Sequence, residues 1–301
     1  KYDLDMKQLI HNILKKAGVR IINRNTMFKK RLEYLSKYPV SQYVDLFLES
    51  YEYVVKLEKY IPNIKFKDVA NGICVSINEM EFVIETNEEF FIISEIFIDY
   101  DYNFLFQKQV VVIDIGMNIG IASLFFSKME NVSKVYAYEP IKDTYSNALE
   151  NFELNPKLKN KIIPHNFGLG KTTRNETFMF DPKVKGNTGV RGIKSASYQN
   201  SNSKETRDVS IVDVATVFET IKSENTNANF VFKIDCEGAE YEIFEKLHDA
   251  NLIASAKIFM IEWHDEGSQL LEKILLDNNF VVFSRKLAVN SGMLYAYNTA
   301  K

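Results

Sequence analysis

Two cysteines, one tryptophan and four histidines are all that the 301 residues hold of these types, and each scarcity closes off a class of protein. Cys74 and Cys236 have no CxxC or CxH spacing near them, so neither a disulfide framework nor a zinc site can be built from them. Both read as reduced, buried thiols. No stretch reaches the roughly 18 uninterrupted apolar residues of a membrane span, and the first residues lack the basic, apolar, small-residue order of a secretory signal. These two absences point to a cytoplasmic protein. Charge of one sign is also lacking: 37 Lys+Arg stand against 40 Asp+Glu, a formal net charge of -3, without the strongly basic face that an obligatory nucleic-acid partner needs. What is present is a chain with 46% hydrophobic residues, enough for a full core.

Met6 reads as a native start, with the preceding KYDLD as an appended remnant. From Met6 to Arg31 the chain carries Lys7, Lys15, Lys16, Arg20, Arg24, Lys29, Lys30 and Arg31 and no acid, while Leu9, Ile10, Ile13 and Leu14 share one helical stripe. This pattern suits a helix packed on its own domain with a solvated basic face, and is compatible with peripheral membrane or partner contact through residues 6–31. Residues 32–60 have helical spacing broken at Pro39, predicting two helices. Period-two alternation then predicts a hairpin near 73–77 and 81–85, and EFFIISEIF reads as a strand or a short helix. The expected division is a helical extension over 1–70, a hairpin and lead-in over 71–108, and a ligand-binding domain over 109–301. In that domain apolar runs recur at 109–114, 133–138, 161–167, 229–235, 256–262 and 279–284. Their alternation with helical or polar stretches predicts an α/β, Rossmann-like, mostly parallel sheet with helices on both faces. Between Phe180 and Asp208 lies a polar, glycine-bearing segment that reads as a long functional loop over the acceptor, its lysines, Arg191 and Tyr198 offered to an anionic or glycan substrate.

The run VVVIDIGMNIG, residues 110–120, joins an apolar strand to a glycine-bearing turn, the place where an open parallel sheet binds a ligand beyond its strand ends. Asp114, Gly116, Asn118 and Gly120 should line that pocket. A nicotinamide dinucleotide needs GxGxxG here, with free amides for a pyrophosphate. An aspartate at the strand end repels a diphosphate and favours a cation. S-adenosylmethionine carries a sulfonium and an ammonium and no phosphate. The second strand ends at Glu139, nineteen residues past Gly120, a spacing at which an acid accepts ribose hydroxyls; Pro140 closes the strand beside it.

FVFKIDCEGAEYEIFEKL, residues 230–247, puts Lys233, Asp235 and Glu237 at a strand end ahead of a helix opening at Gly238. Together with DIGMNIG, YEP, HNFGLG and the downstream IFMIEWH, it resembles the FkbM family of S-adenosylmethionine-dependent methyltransferases, over roughly residues 90–285. The resemblance implies a class I methyltransferase fold, a seven-stranded sheet with its last strand antiparallel, and the pair FVVFSRK and GMLYAYN fits that final hairpin. It further implies that Asp114, Gly116, Asn118 and Gly120 contact the methionine part of the cofactor, Glu139 with Pro140 its ribose, and Asn166 its adenine. Glu95 and Tyr102, in SEIFIDYDY, match the segment that closes over the cofactor. Met117 stands where the family's turn usually has alanine, a change of packing and not of hydrogen bonding.

Methyl transfer mainly requires alignment and exclusion of water, because the sulfonium already activates the carbon. A hydroxyl acceptor also needs a base or a metal. Asp235 and Glu237 end one strand, Glu262 and His264 another, and these four are the catalytic candidates, His264 with its near-neutral imidazole as a base or as a ligand of the acceptor. Each retains a structural alternative: Asp235 as a helix cap, His264 as a hydrogen-bonded histidine. A magnesium-like ion on Asp235, Glu237 and Glu262 is an alternative that no spacing rule favours. Lys233 should pair with Asp235 or Glu262. The leading function is therefore O-methylation of a carbohydrate or related hydroxylated metabolite, with S-adenosylhomocysteine as the co-product. The alternatives are a nucleotide-dependent oxidoreductase on the same sheet and a non-catalytic scaffold that keeps the cofactor pocket.

Overall fold

A computed structural model describes residues 24–190 and 205–300. The described chain opens with three helices, α1 (Arg24–Leu35), α2 (Val44–Glu49) and α3 (Tyr51–Tyr60). Pro39 falls between the first two, as a residue without an N–H and with a restricted predecessor should. Most of the basic segment 6–31, with its apolar stripe, lies outside the described residues. A three-stranded antiparallel sheet follows, β1 (Lys65–Val69), β2 (Gly72–Ile77) and β3 (Met80–Ile84). The last two are the expected hairpin. β1 is an addition: KFKDV buries only Phe66 fully and keeps its lysines outside, so it carries little apolar signal. Since Phe66 pairs with Val75 across the ladder, the sheet starts ahead of the boundary expected at residue 70.

EFFIISEIF is helical. Thr86 accepts a hydrogen bond from the Glu89 backbone N–H, and the Glu89 carboxylate accepts one from the Thr86 N–H, so a capping box starts α4 (Asn87–Ser94). The helix widens into a π-helical turn, Glu95–Asp99, and stops at Tyr100 in a left-handed conformation with φ 55°.

From here the chain winds the large sheet: β4 (Val110–Ile115), α5 (Ile121–Lys128), β5 (Val132–Tyr138), α6 (Lys142–Glu153), α7 (Pro156–Lys159) and β6 (Ile162–His165). A detour forms a small sheet of β7 (Gly168–Gly170), β8 (Arg174–Phe180) and β9 (Glu205–Asp213). The chain then returns with α8 (Val214–Glu224), β10 (Asn229–Ile234), α9 (Glu240–Asp249), β11 (Ala256–His264), α10 (Gln269–Asp277), β12 (Phe280–Lys286) and β13 (Ser291–Asn298). The seven strands lie in the order β12-β13-β11-β10-β4-β5-β6. β13 is antiparallel to both neighbours and the remaining pairs are parallel. This is the class I, Rossmann-like architecture the resemblance implies, with β12 and β13 as the final hairpin.

The pleat divides β4 between two cores. Val110 and Val112 face a layer that includes Phe126 and Phe152 of α5 and α6 and also Leu35, Phe47 and Phe90 of the N-terminal part. Val111, Ile113 and Ile115 face Phe218, Phe244 and Leu275 of α8, α9 and α10. The N-terminal elements therefore share a core with the large sheet. The segment 181–207, expected to be one loop, is the connection of an antiparallel pair in which Phe180 stands opposite Glu205. It carries a short 3-10 turn over Lys185–Asn187, and Arg191 and Tyr198 lie outside the described residues. No helix among the described residues is long and apolar enough to cross a membrane.

Candidate active site

β4 and β10 are neighbours in register, with Asp114 opposite Lys233 and Ile115 opposite Ile234, so their carboxyl ends open into one cleft. At Gly116, φ is 81°, and the N–H groups of Gly116 and Met117 both donate to the Tyr138 carbonyl, folding the turn across the end of β5. A Cβ on Gly116 would stand 1.8 Å from the Asp235 carbonyl oxygen, so only glycine fits between the two strand ends. Gly120, at φ 84°, caps α5, and a Cβ there would meet the Phe152 ring at 2.5 Å.

Ten of the thirteen residues expected at the site line this cleft: Gly116, Asn118, Glu139, Pro140, Glu95, Tyr102, Asp235, Glu237, Glu262 and His264. Three do not. Asp114 is fully buried beneath the floor, where it accepts a hydrogen bond from the Ser123 hydroxyl at 2.6 Å and faces Lys233 Nζ at 3.3 Å. Gly120 serves the bend and the packing of α5 behind the lining. The Asn166 amide donates to the Glu139 and Pro140 carbonyls, at 2.9 and 3.2 Å, bracing the strand end from outside the cleft. Lys233 pairs with Asp235 as expected, at 3.5 Å, but its other carboxylate is Asp114 and not Glu262. It also donates to the Gly116 carbonyl at 2.6 Å.

Glu139 is buried at the end of β5. Its Oε2 accepts from the Asn118 N–H at 3.1 Å and its Oε1 from the Ile141 N–H at 2.9 Å. Burial raises its pKa to about 7, against the pull of those two amides. Asn118 holds a left-handed φ of 50°, and its Oδ1 is buried without a hydrogen-bond partner among the described residues. An orphaned acceptor at a turn is costly unless a ligand donor meets it.

Acid dominates the other end. Glu95, from the π-helical turn, is pushed up to about 9 by burial and by Glu262 and Asp235. Tyr102 donates its hydroxyl to Asp235 Oδ2 at 2.9 Å and reaches Glu262 Oε2 at 3.4 Å; burial and the same carboxylates raise it well above an ordinary phenol. Burial, then Asp235, raises Glu262. For His264 burial alone lowers the pKa, but Glu240 and Glu262, with Glu237 beside them, hold it up to about 11. These carboxylates thus favour the charged form of the imidazole over the near-neutral one expected.

Several lining or supporting residues went unread in the sequence. Glu240, fully buried at the start of α9, accepts from the His264 backbone N–H at 2.7 Å and contacts its Nδ1 at 3.1 Å. Lys185, expected to offer its charge to a substrate, is held by Glu85 at 2.6 Å and Glu89 at 3.1 Å, while the Gly186 N–H donates to Glu88 at 2.9 Å. These contacts strap residues 185–189 across the cleft. Arg174 is spent on Glu176 and Glu242. Every lysine or arginine lining the cleft among the described residues is therefore paired with carboxylates. The cysteines are free, Cys74 buried and Cys236 half-buried, with burial and Glu240 raising the Cys236 thiol well above its usual value.

Residues 114–282, more than half of the chain, match the methyltransferase FkbM domain. The chain is 29% identical over 199 residues to Methyltransferase 1 of Beauveria bassiana (strain ARSEF 2860), covering 62% of this chain and 79% of the relative. It is 24% identical over 220 residues to Methyltransferase sdnD of Sordaria araneosa, covering 66% and 85% respectively. Among solved structures, it is similar to the methyltransferase FkbM of Methylobacillus flagellatus KT at a TM-score of 0.46 and 13% identity, over 97% of this chain and 70% of that one.

Proposed function

The chain belongs to the FkbM methyltransferase family, and from that premise we propose that it is an S-adenosylmethionine-dependent O-methyltransferase for a hydroxyl of a carbohydrate or related hydroxylated metabolite. One observation carries the cofactor reading: acids face a cleft whose own cations are all committed. Such a cleft repels a diphosphate and receives a cationic ligand. The orphaned Asn118 Oδ1 supplies an acceptor for the ammonium of the methionine part. Glu139, ionised above about pH 7, supplies acceptors for two ribose hydroxyls. When bound, S-adenosylmethionine supplies a methyl group already activated by the adjoining sulfonium.

The chain's own residues then hold the acceptor and take its proton. Glu262, its pKa raised by burial and by Asp235, is a stronger base than an exposed carboxylate, and it receives the hydroxyl proton at Oε2. Tyr102 donates to Asp235 and fixes its orientation beside Glu262. Glu95 carries a proton at neutral pH and so offers a hydrogen-bond donor instead of another repelling charge. The strap over residues 185–189 narrows the cleft above Glu237, where a Cβ on Gly189 would come within 2.6 Å of the Glu237 Cβ. That cover excludes water from the reacting end.

Isothermal titration with S-adenosylhomocysteine and with NAD tests the cofactor, with binding expected only for the first. A methyl-transfer assay over hydroxylated sugars and matched amines tests the acceptor. Transfer to amines alone would replace the hydroxyl reading.

A further inference from the structure

The acidic end of the cleft holds more negative charge than a sulfonium calls for, and one buried imidazole is aimed into it. His264 is 2% exposed. Its Nδ1 and its backbone N–H both address Glu240 Oε1, at 3.1 and 2.7 Å, which fixes the ring and leaves Nε2 turned to the cleft. There Nε2 stands 3.5 Å from Glu262 Oε1 and 3.6 Å from Glu237 Oε1, beyond the 2.7–3.2 Å of a good hydrogen bond. Ligand atoms of Asp235, Glu237 and His264 all lie within 4.8 Å of one another. Ligands about 2.1 Å from a common ion stand roughly 3–3.5 Å apart when adjacent and about 4.2 Å when opposite, so these atoms, too far apart for direct bonding, would draw slightly inward to share a centre. A buried carboxylate on the far nitrogen of a histidine is also the support that metal-ligating imidazoles characteristically have.

We propose that Asp235, Glu237 and His264 Nε2 bind one divalent cation of hard to borderline character, Mn2+ in type, since two carboxylates favour a hard ion and one imidazole tolerates a softer one. Three protein ligands leave coordination positions open, and these face the end of the cleft where an acceptor must sit. The cation's part in the reaction rests on the O-methylation reading above: a metal-bound hydroxyl loses its proton to Glu262 more readily, and its oxygen is held for attack on the methyl carbon. The carbon–oxygen bond forms as the carbon–sulfur bond breaks, the bonding pair passes to sulfur, and the proton rests on Glu262. Binding of the cation itself needs neither cofactor nor acceptor. The sequence alone grouped Glu262 with Asp235 and Glu237 as oxygen ligands. The set proposed here has His264 in place of Glu262.

The test is titration of the intact, chelator-treated chain with MnCl2, read by electron spin resonance, with electron spin echo modulation to detect a directly bound nitrogen. The expected result is one Mn2+ per chain with a nitrogen coupling. In His264→Gln the coupling should disappear, and in Glu240→Gln, which removes the carboxylate behind the ring, affinity should fall about tenfold or more. No stoichiometric binding, or binding with no nitrogen coupling in the unmodified chain, overturns the site, and neither result depends on a buried variant folding. Titration of the same samples with S-adenosylhomocysteine separates the two ideas. Mn2+ bound without S-adenosylhomocysteine leaves the metal site standing and the cofactor reading overturned, and the converse overturns the metal site alone.

Discussion

Lys233 and Asp114 face each other across adjacent parallel strands, Nζ 3.3 Å from Oδ1, both closed off from solvent. Burial pulls the lysine's pKa down, and Asp114 and Asp235 more than restore it, so Lys233 stays charged under the floor of the cleft. Breaking one partner of a buried pair costs about 3–5 kcal/mol, whereas an apolar replacement of both can be nearly neutral. Asp114→Asn should lower stability to urea by about that amount, and Asp114→Asn with Lys233→Met should recover part of it. Equal losses in the single and double variants would show that the pair is not coupled.

Glu139 gives a pH signature. With its free-state pKa near 7, ribose binding must displace a proton below that value. Affinity for S-adenosylhomocysteine should therefore tighten about tenfold between pH 6 and pH 8, and Glu139→Gln should flatten that dependence. In the unliganded protein the same raised value works the other way. The native state holds this proton more tightly than the unfolded chain, so its contribution to stability declines as pH climbs from the ordinary carboxylate range through 7.

Tyr102→Phe removes the hydroxyl donated to Asp235 at 2.9 Å. A hydrogen bond to a charged group contributes about 1.5–3 kcal/mol, so kcat should fall roughly tenfold to a hundredfold while affinity for S-adenosylhomocysteine changes little. An unchanged kcat in a folded variant would detach Tyr102 from the acceptor end.

Gly116→Ala sets a Cβ against the Asp235 backbone carbonyl at 1.8 Å, where no side-chain movement relieves the clash. Both strand ends must shift. Loss of S-adenosylhomocysteine binding, with a melting temperature lowered by several degrees, is the expected outcome. Gly120→Ala meets a rotatable ring instead, at φ 84°, so it should cost stability while sparing more of the binding.

Much of the large sheet was legible because its buried strands are unbroken apolar runs, and the turn at 116–120 because few ligands suit an acid there. Period two also held information that was not used. Asp114 shares its pleat face with Val110 and Val112, and Lys233 shares one with Val231, so both point into the N-terminal core layer and towards each other. A strand-end acid was taken to face the ligand where the pleat turns it under the floor. β8 and β9 escaped notice because half of each faces solvent: Phe178, Phe180, Val209 and Ile211 alone are buried, amid arginine, asparagine, glutamate and aspartate neighbours. Glu240 left no signal at all. Its role depends on the approach of α9 to the end of β11, a tertiary contact that composition and spacing do not encode.

A crystal structure with S-adenosylhomocysteine tests the central claim most directly. The account predicts ribose hydroxyls within hydrogen-bond reach of Glu139, the amino group at Asn118 Oδ1, and the sulfur turned towards Asp235 and Glu262. Adenosylhomocysteine lodged elsewhere, or a dinucleotide whose diphosphate rests against Gly116, would contradict it.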